Sequence, residues 1–92
     1  MITSIKHKGL KRFWTKNDAS RLPADQVPKL MIILNLLDDA SDISDVSFPG
    51  IDLHPLKGDL SGYWAIKVKA NWRVIFKIED GDVYFVNYLD YH

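Results

Sequence analysis

The chain contains no cysteine, which excludes disulfide staples, thiolate metal sites and a cysteine nucleophile. It also lacks net charge, with Lys plus Arg at 12 against Asp plus Glu at 12. That balance argues against gripping nucleic acid through overall positive charge. The greasiest stretch, LMIILNLL, is far shorter than the roughly 20 residues of a membrane span. The opening MITSIKHKGLKRFW has basic residues but no apolar h-region, so no secretory signal is expected. No internal repeat, low-complexity tract or linker interrupts the chain. These absences predict one cytoplasmic domain over residues 1–92, without membrane association.

What is present fits that expectation. An apolar content of 47% with 26% charged residues over 92 positions describes a small globular domain. A chain of this size buries about 60–65% of its unfolded surface and keeps little stability in reserve. Its charge is segregated. Lys6, Lys8, Lys11, Arg12 and Lys16 stand together near the start, and Asp38, Asp39, Asp42, Asp45 and Asp52 in the middle. Lys57, Lys67, Lys69, Arg73 and Lys77 follow, with Asp59 alone against them. Such blocks usually form solvated faces, and the basic ones also suit a local anionic partner.

Leu10, Phe13 and Trp14 recur at helical spacing and predict a short amphipathic helix, ended by the turn-rich NDASRLPAD. A longer helix is expected from about Asp25 to Ala40, with Val27, Leu30, Ile33 or Leu34, and Leu37 in one stripe. Pro28 is tolerated in its first turn, where no N–H is needed. Met31, Ile32 and Leu36 widen the apolar surface, either to pack on the first helix or to dock a partner. From Leu53 onward, LHPLKG, YWAIKVK, RVIFKI and VYFVNY read as strands. Helices followed by an antiparallel meander define an α+β domain, two N-terminal helices on one face of a mostly antiparallel sheet.

Strand register decides which side chains share a face. Asp80-Gly81 is a strong hairpin signal and pairs Glu79 with Asp82 and Ile78 with Val83. Unbroken alternation then sets Phe76 opposite Phe85, Val74 opposite Asn87 and Arg73 opposite Tyr88. A three-residue loop, Ala70-Asn71-Trp72, is expected before it, with Lys69 opposite Arg73, Val68 opposite Val74 and Ile66 opposite Phe76. The predicted sheet has an apolar face under the helices and a basic, aromatic face carrying Lys67, Lys69, Arg73, Tyr84 and Tyr88. Asp90 and His92 join that second face if the last strand runs on, and His54 and Lys57 arrive on LHPLKGD.

Two imidazoles can act as general base and general acid near neutral pH. Lysine and arginine can neutralise charge gained by a phosphate in its transition state. Asp90, two residues from His92, can orient its ring. This set suits metal-free RNA cleavage through attack of a 2′-hydroxyl on the adjacent phosphorus. Tyr88, Tyr91 and Trp72 could stack on unpaired bases. Duller roles compete: a lone His54 is more often structural, alternating lysines line any solvated strand, and His7 reads as surface. No His-x₃-His-type spacing supports a metal site, so neither metal nor cofactor is expected.

The segment LHPLKGDLSGYWAIKVKANWRVIFKIEDGDVYFVNYLDYH strongly resembles the HigB-type toxins of the RelE/ParE superfamily, from bacterial type II toxin–antitoxin systems. The start, MITSIKHKGLKRFW, is similar too, so the likeness covers essentially the whole chain. HPLKGD, GYW, NWR and the terminal DYH are specific as a set. The resemblance implies a RelE-like α+β fold and a ribosome-dependent endoribonuclease that cuts mRNA in the decoding site. It assigns proton transfer to His54 and His92, the scissile phosphate to Lys57 and Arg73, orientation of His92 to Asp90, and mRNA positioning to Tyr91. Lys67, Lys69, Trp72 and Tyr88 are expected to contact RNA. A HigA-like helix-turn-helix antitoxin is the implied partner, and operator DNA is reached only through that complex. Ribosome-acting toxins are commonly basic overall, whereas this chain is neutral, so salt-dependent attachment to ribosomal RNA is expected to be weaker or confined to the first helix and the open sheet face. The same superfamily holds ParE-like inhibitors of DNA gyrase, the alternative reading. A degenerate copy that only binds its antitoxin is a third.

Overall fold

The computed structural model describes residues 1–90. Helix α1 runs Lys8–Lys16 and α2 Val27–Asp39. Four strands follow: β1 Leu53–Pro55, β2 Trp64–Lys69, β3 Trp72–Glu79 and β4 Asp82–Asp90. They form one antiparallel meander in the order β1-β2-β3-β4. The expected α+β architecture is the observed one.

The start of α1 has a specific chemical cause. His7 adopts an extended backbone, and its Nδ1 accepts the Leu10 N–H at 3.0 Å. The ring thus takes the capping role that short polar side chains usually fill. At the other end Asn17 turns left-handed, φ 56°, and its N–H returns to the Phe13 carbonyl. The second helix is preceded by a single 3₁₀ turn, Ala24–Gln26, with Pro28 in its first turn as expected. Its buried stripe is Leu30, Ile33, Leu34 and Leu37. Met31 and Leu36 pack at the core's margin, while Ile32 stays 55% exposed.

Leu10 and Phe13 join that stripe over Ile66, Val68, Val74, Phe76, Val83, Val86 and Tyr88 of the sheet. Burial of this apolar surface, at about 25 cal/mol per Å², is the main force holding the helices to the strands. The N-terminal residues contribute an element the apolar pattern did not announce. Ile2 and Ile5 pair in parallel with Val83 and Val86, covering the outer edge of β4. Thr3 N–H donates to the Val83 carbonyl at 2.8 Å and Lys6 N–H to Val86 at 2.7 Å. An edge with its groups paired does not recruit other strands.

Both hairpins depart from simple alternation. In β3–β4 the Asp80-Gly81 turn forms as expected, with φ 52° and 83°, and Glu79 meets Asp82. A bulge then intervenes at Phe85, φ 56°, and the ladder resumes one residue later. Val74 therefore meets Tyr88, Arg73 meets Leu89 and Trp72 meets Asp90. Unbroken alternation would have buried the Asn87 amide and exposed Val86 and Tyr88, an unfavourable exchange. The bulge reverses it: Val86 and Tyr88 are buried, and Phe85 is 41% exposed. Ser4 Oγ accepts the Phe85 N–H at 2.8 Å, and the Lys6 ammonium lies 5.3 Å from the ring centre.

In β2–β3 the loop is two residues, Ala70-Asn71, not three. Lys69 pairs with Trp72, Lys67 with Arg73 and Ile66 with Val74. An irregularity at Val68 absorbs the difference, so Ile66 and Val68 still reach the core. The apolar layer was thus expected correctly for β2 and β3, but through the wrong pairs.

Candidate active site

The face of the sheet away from the helices is built by strand alternation. His54 on β1 pairs with Ala65 on β2, which pairs with Ile75 on β3, itself opposite Asn87 on β4. One step along, Lys67, Arg73 and Leu89 make the next row. His54, Lys67 and Arg73 consequently share this open face. Strand spacings of about 4.8 Å and two-residue steps of about 6.7 Å put the His54 and Arg73 Cα atoms about 12 Å apart. An imidazole and a guanidinium on such stems can converge on a single phosphodiester.

Arg73 is anchored by its own hairpin. Its Nη1 donates to the Ala70 carbonyl at 2.5 Å and to the Trp72 carbonyl at 3.1 Å. Those bonds leave Nε and Nη2 as the donors not engaged by the hairpin loop, a fork suited to phosphate oxygens. His54 is exposed, and its Nε2 lies 2.5 Å from Asp52 Oδ1. Sequence reasoning gave Asp52 no role. Its signal was present, an acid two residues before the histidine, but the side-by-side geometry depends on the left-handed turn at Asp52, φ 49°.

Other expected site residues are placed differently. Lys57 follows β1 beyond Pro55, at the end of the sheet opposite Trp72 and Asp90. Asp90 ends β4 and, by alternation, falls on the same side of the strand as Tyr88, so the bulge at Phe85 also takes it off the open face on which it was expected. Tyr88 does not stand on the open face. It is 3% exposed, its hydroxyl donates to Gln26 Oε1 at 2.5 Å, and it stacks on Trp72 with centroids 4.7 Å apart. Burial, then the charge of Asp25, pushes its phenol up to about 12. The expectation that Tyr88 shares the basic face is thus overturned by the bulge at Phe85. Lys69 also leaves that face. The irregularity at Val68 brings it beside Trp72, where its ammonium pairs with the Asp25 carboxylate. That hydrogen bond lowers the Asp25 pKa. His7, read as mere surface, caps α1 and meets the Tyr88 ring edge-on at 5.4 Å. Burial lowers its pKa. Tyr91 and His92 lie outside the described residues.

The fold is that of RelE-like toxins. The structure superposes with TM-score 0.51 on a mutant of YafQ from E. coli, at 20% identity, covering 92% of this chain and 89% of that one. A copper-bound mutant toxin from Helicobacter pylori gives 0.54 at 13% identity, with 95% and 89% covered. At these identities the likeness concerns the fold alone. The sequence is more specific. The family model described as RelE-like toxin of type II toxin-antitoxin system HigB matches residues 3–92, and the chain belongs to that family. It is 47% identical over 92 residues to the Endoribonuclease HigB of Proteus vulgaris, with 100% of both chains covered. The Toxin HigB-1 of Vibrio cholerae serotype O1 is 35% identical over 94 residues, covering 100% of this chain and 98% of the relative. The family resemblance drawn from the sequence is therefore correct.

Proposed function

We propose that this chain is the toxin of a type II toxin–antitoxin pair and cuts mRNA on the ribosome, stopping translation. Two things support the reading: full-length kinship to a protein named Endoribonuclease HigB, and the open face that gathers His54, Lys67 and Arg73. The second observation carries the chemistry. A base takes the proton of a ribose 2′-hydroxyl, and the oxygen attacks the adjacent phosphorus. The P–O5′ bond breaks, and an acid protonates the departing oxygen. The products are a 2′,3′-cyclic phosphate and a 5′-hydroxyl.

His54 and His92 share the two proton transfers in this scheme, and Arg73 binds the phosphate as its charge grows; Lys57, at the other end of the sheet, holds a neighbouring phosphate of the same strand. Asp90 orients His92, and Tyr91 positions the mRNA. Lys67, paired with Arg73 on the open face, adds positive charge next to the reacting group. Trp72 contributes through its partly buried ring at the rim rather than as an open stacking platform. No metal or cofactor is needed for these steps. Ribosomal RNA is held by the cations of α1 and the turn after it, where Lys8, Lys11, Arg12, Lys16 and Arg21 line a shallow cavity of about 270 Å³. The partner is a HigA-like helix-turn-helix antitoxin, and operator DNA is contacted only through that complex. Such a toxin acts in the cytoplasm.

Expression in bacteria followed by mapping of mRNA 5′ ends tests the proposal. New ends inside translated codons, absent for His54→Ala and for His92→Ala, are expected. DNA damage without mRNA cleavage would instead indicate a gyrase inhibitor, and unimpaired growth an inactive copy.

A further inference from the structure

The neutral imidazole has one N–H donor and one lone pair, and which nitrogen carries which is set by its hydrogen-bond partner. For His54 that partner is a carboxylate: Nε2 lies 2.5 Å from Asp52 Oδ1. We propose that Asp52 is a positioning residue for His54, fixing the ring so that Nδ1 faces the RNA. This deepens the nuclease reading and rests on it.

Three observations converge. Asp52 stands two residues before His54, just ahead of β1, with its Oδ1 against the imidazole Nε2. Asp52 takes a left-handed backbone, φ 49°, just after Gly50 at φ 81°. Aspartate tolerates that conformation better than most residues. The bend brings the carboxylate to the imidazole at the head of β1, where His54 is already fixed by pairing with Ala65. Finally, both side chains are exposed, 65% for His54 and 45% for Asp52. An ion pair this open contributes little to folding, so its chief consequence falls on the ring. Nε2–H donates to Asp52, and Nδ1 is left to accept the 2′-hydroxyl proton or, once protonated, to return one to the departing oxygen.

Single-turnover cleavage of mRNA on programmed ribosomes tests the assignment with the full chain. Asp52→Gly keeps the left-handed turn and removes the carboxylate. It should lower the cleavage rate about 10-fold, with half-saturation and Tm unchanged. Asp52→Asn retains an oxygen that can accept the Nε2–H and should recover part of that rate. His54→Ala with Asp52→Gly should cleave no more slowly than His54→Ala alone, since residues acting as a unit are non-additive. A rate for Asp52→Gly within two-fold of wild type would overturn the assignment. So would a loss that persists in full in the His54→Ala background. A wild-type chain that cuts no RNA would instead sink the nuclease reading and this assignment with it.

Discussion

Replacing His7 by alanine isolates a contact on which both ends of the domain depend. The His7 ring accepts the Leu10 N–H at the start of α1 and meets Tyr88 of β4 edge-on. Loss of an N-cap bond costs about 1 kcal/mol, within a range of roughly 0.5–2. Loss of an aromatic edge contact adds about 0.5–1 kcal/mol. The sum, about 1.5–2 kcal/mol, should lower Tm by about 6–16 °C in a domain of this size. His7→Asn keeps a capping oxygen and should recover roughly half of that loss. The histidine also predicts a pH signature. Burial lowers its folded pKa below 6.5, so the neutral ring contributes its full share of stability above that pH. As the pH falls from there through the lowered folded value, the unfolded chain takes up the proton first and that share is lost. Linkage limits the slope to about 1.4 kcal/mol per pH unit, and partial exposure of the ring makes it shallower. Urea denaturation between pH 5 and 8 on wild type, His7→Ala and His7→Asn measures both effects. An alanine variant within about 0.3 kcal/mol of wild type would refute the capping argument. An acid slope that survives in His7→Asn would refute the titration argument.

The bulge in β4 predicts an asymmetry between two phenylalanines. Phe76→Ala should cost about 3–5 kcal/mol, because a fully buried ring leaves a cavity, whereas Phe85→Gly should cost less than about 1, since glycine relieves its left-handed backbone. Equal losses in thermal denaturation would restore the unbroken register. Lys67→Ala should reduce RNA cleavage more than Lys69→Ala, because Lys69 is paired with Asp25 on the helical side; the reverse order in a cleavage assay would count against the face assignment. Deleting Tyr91 and His92 should abolish toxicity while leaving stability within roughly 1 kcal/mol. A large loss of folding stability on that deletion would mean that the two residues act structurally.

Much of this architecture was legible from local pattern. Leu10, Phe13 and Trp14 announced α1, Leu30 through Leu37 announced α2, and Asp80-Gly81 placed the last hairpin. What escaped was non-local. Whether β4 bulges at Phe85 depends on Ser4 and Lys6, some eighty residues away in sequence, and on the gain from burying Val86 and Tyr88 in place of Asn87. One extra residue in that ladder moved Tyr88 from the open face to the core. His54, Lys67 and Arg73 kept their expected face because β1, β2 as far as Lys67, and β3 from Arg73 alternate regularly, the irregularity falling after Lys67. Asp52 and His7 were missed for a shared reason. Each acts through a backbone turn, left-handed at Asp52 and helix-initiating at His7, that spacing alone does not reveal.

An RNA-cleaving centre built on His54 and Arg73 is proposed for the sheet face away from the helices. Purified chain mixed with one mRNA, naked or seated on programmed ribosomes, decides the matter once the chemistry of the new ends is determined. Cleavage is expected on the ribosome alone, leaving a 2′,3′-cyclic phosphate and a 5′-hydroxyl, and slowed about 100-fold or more in His54→Ala. Cleavage that is undiminished in His54→Ala, or that leaves 5′-phosphate ends, would contradict it.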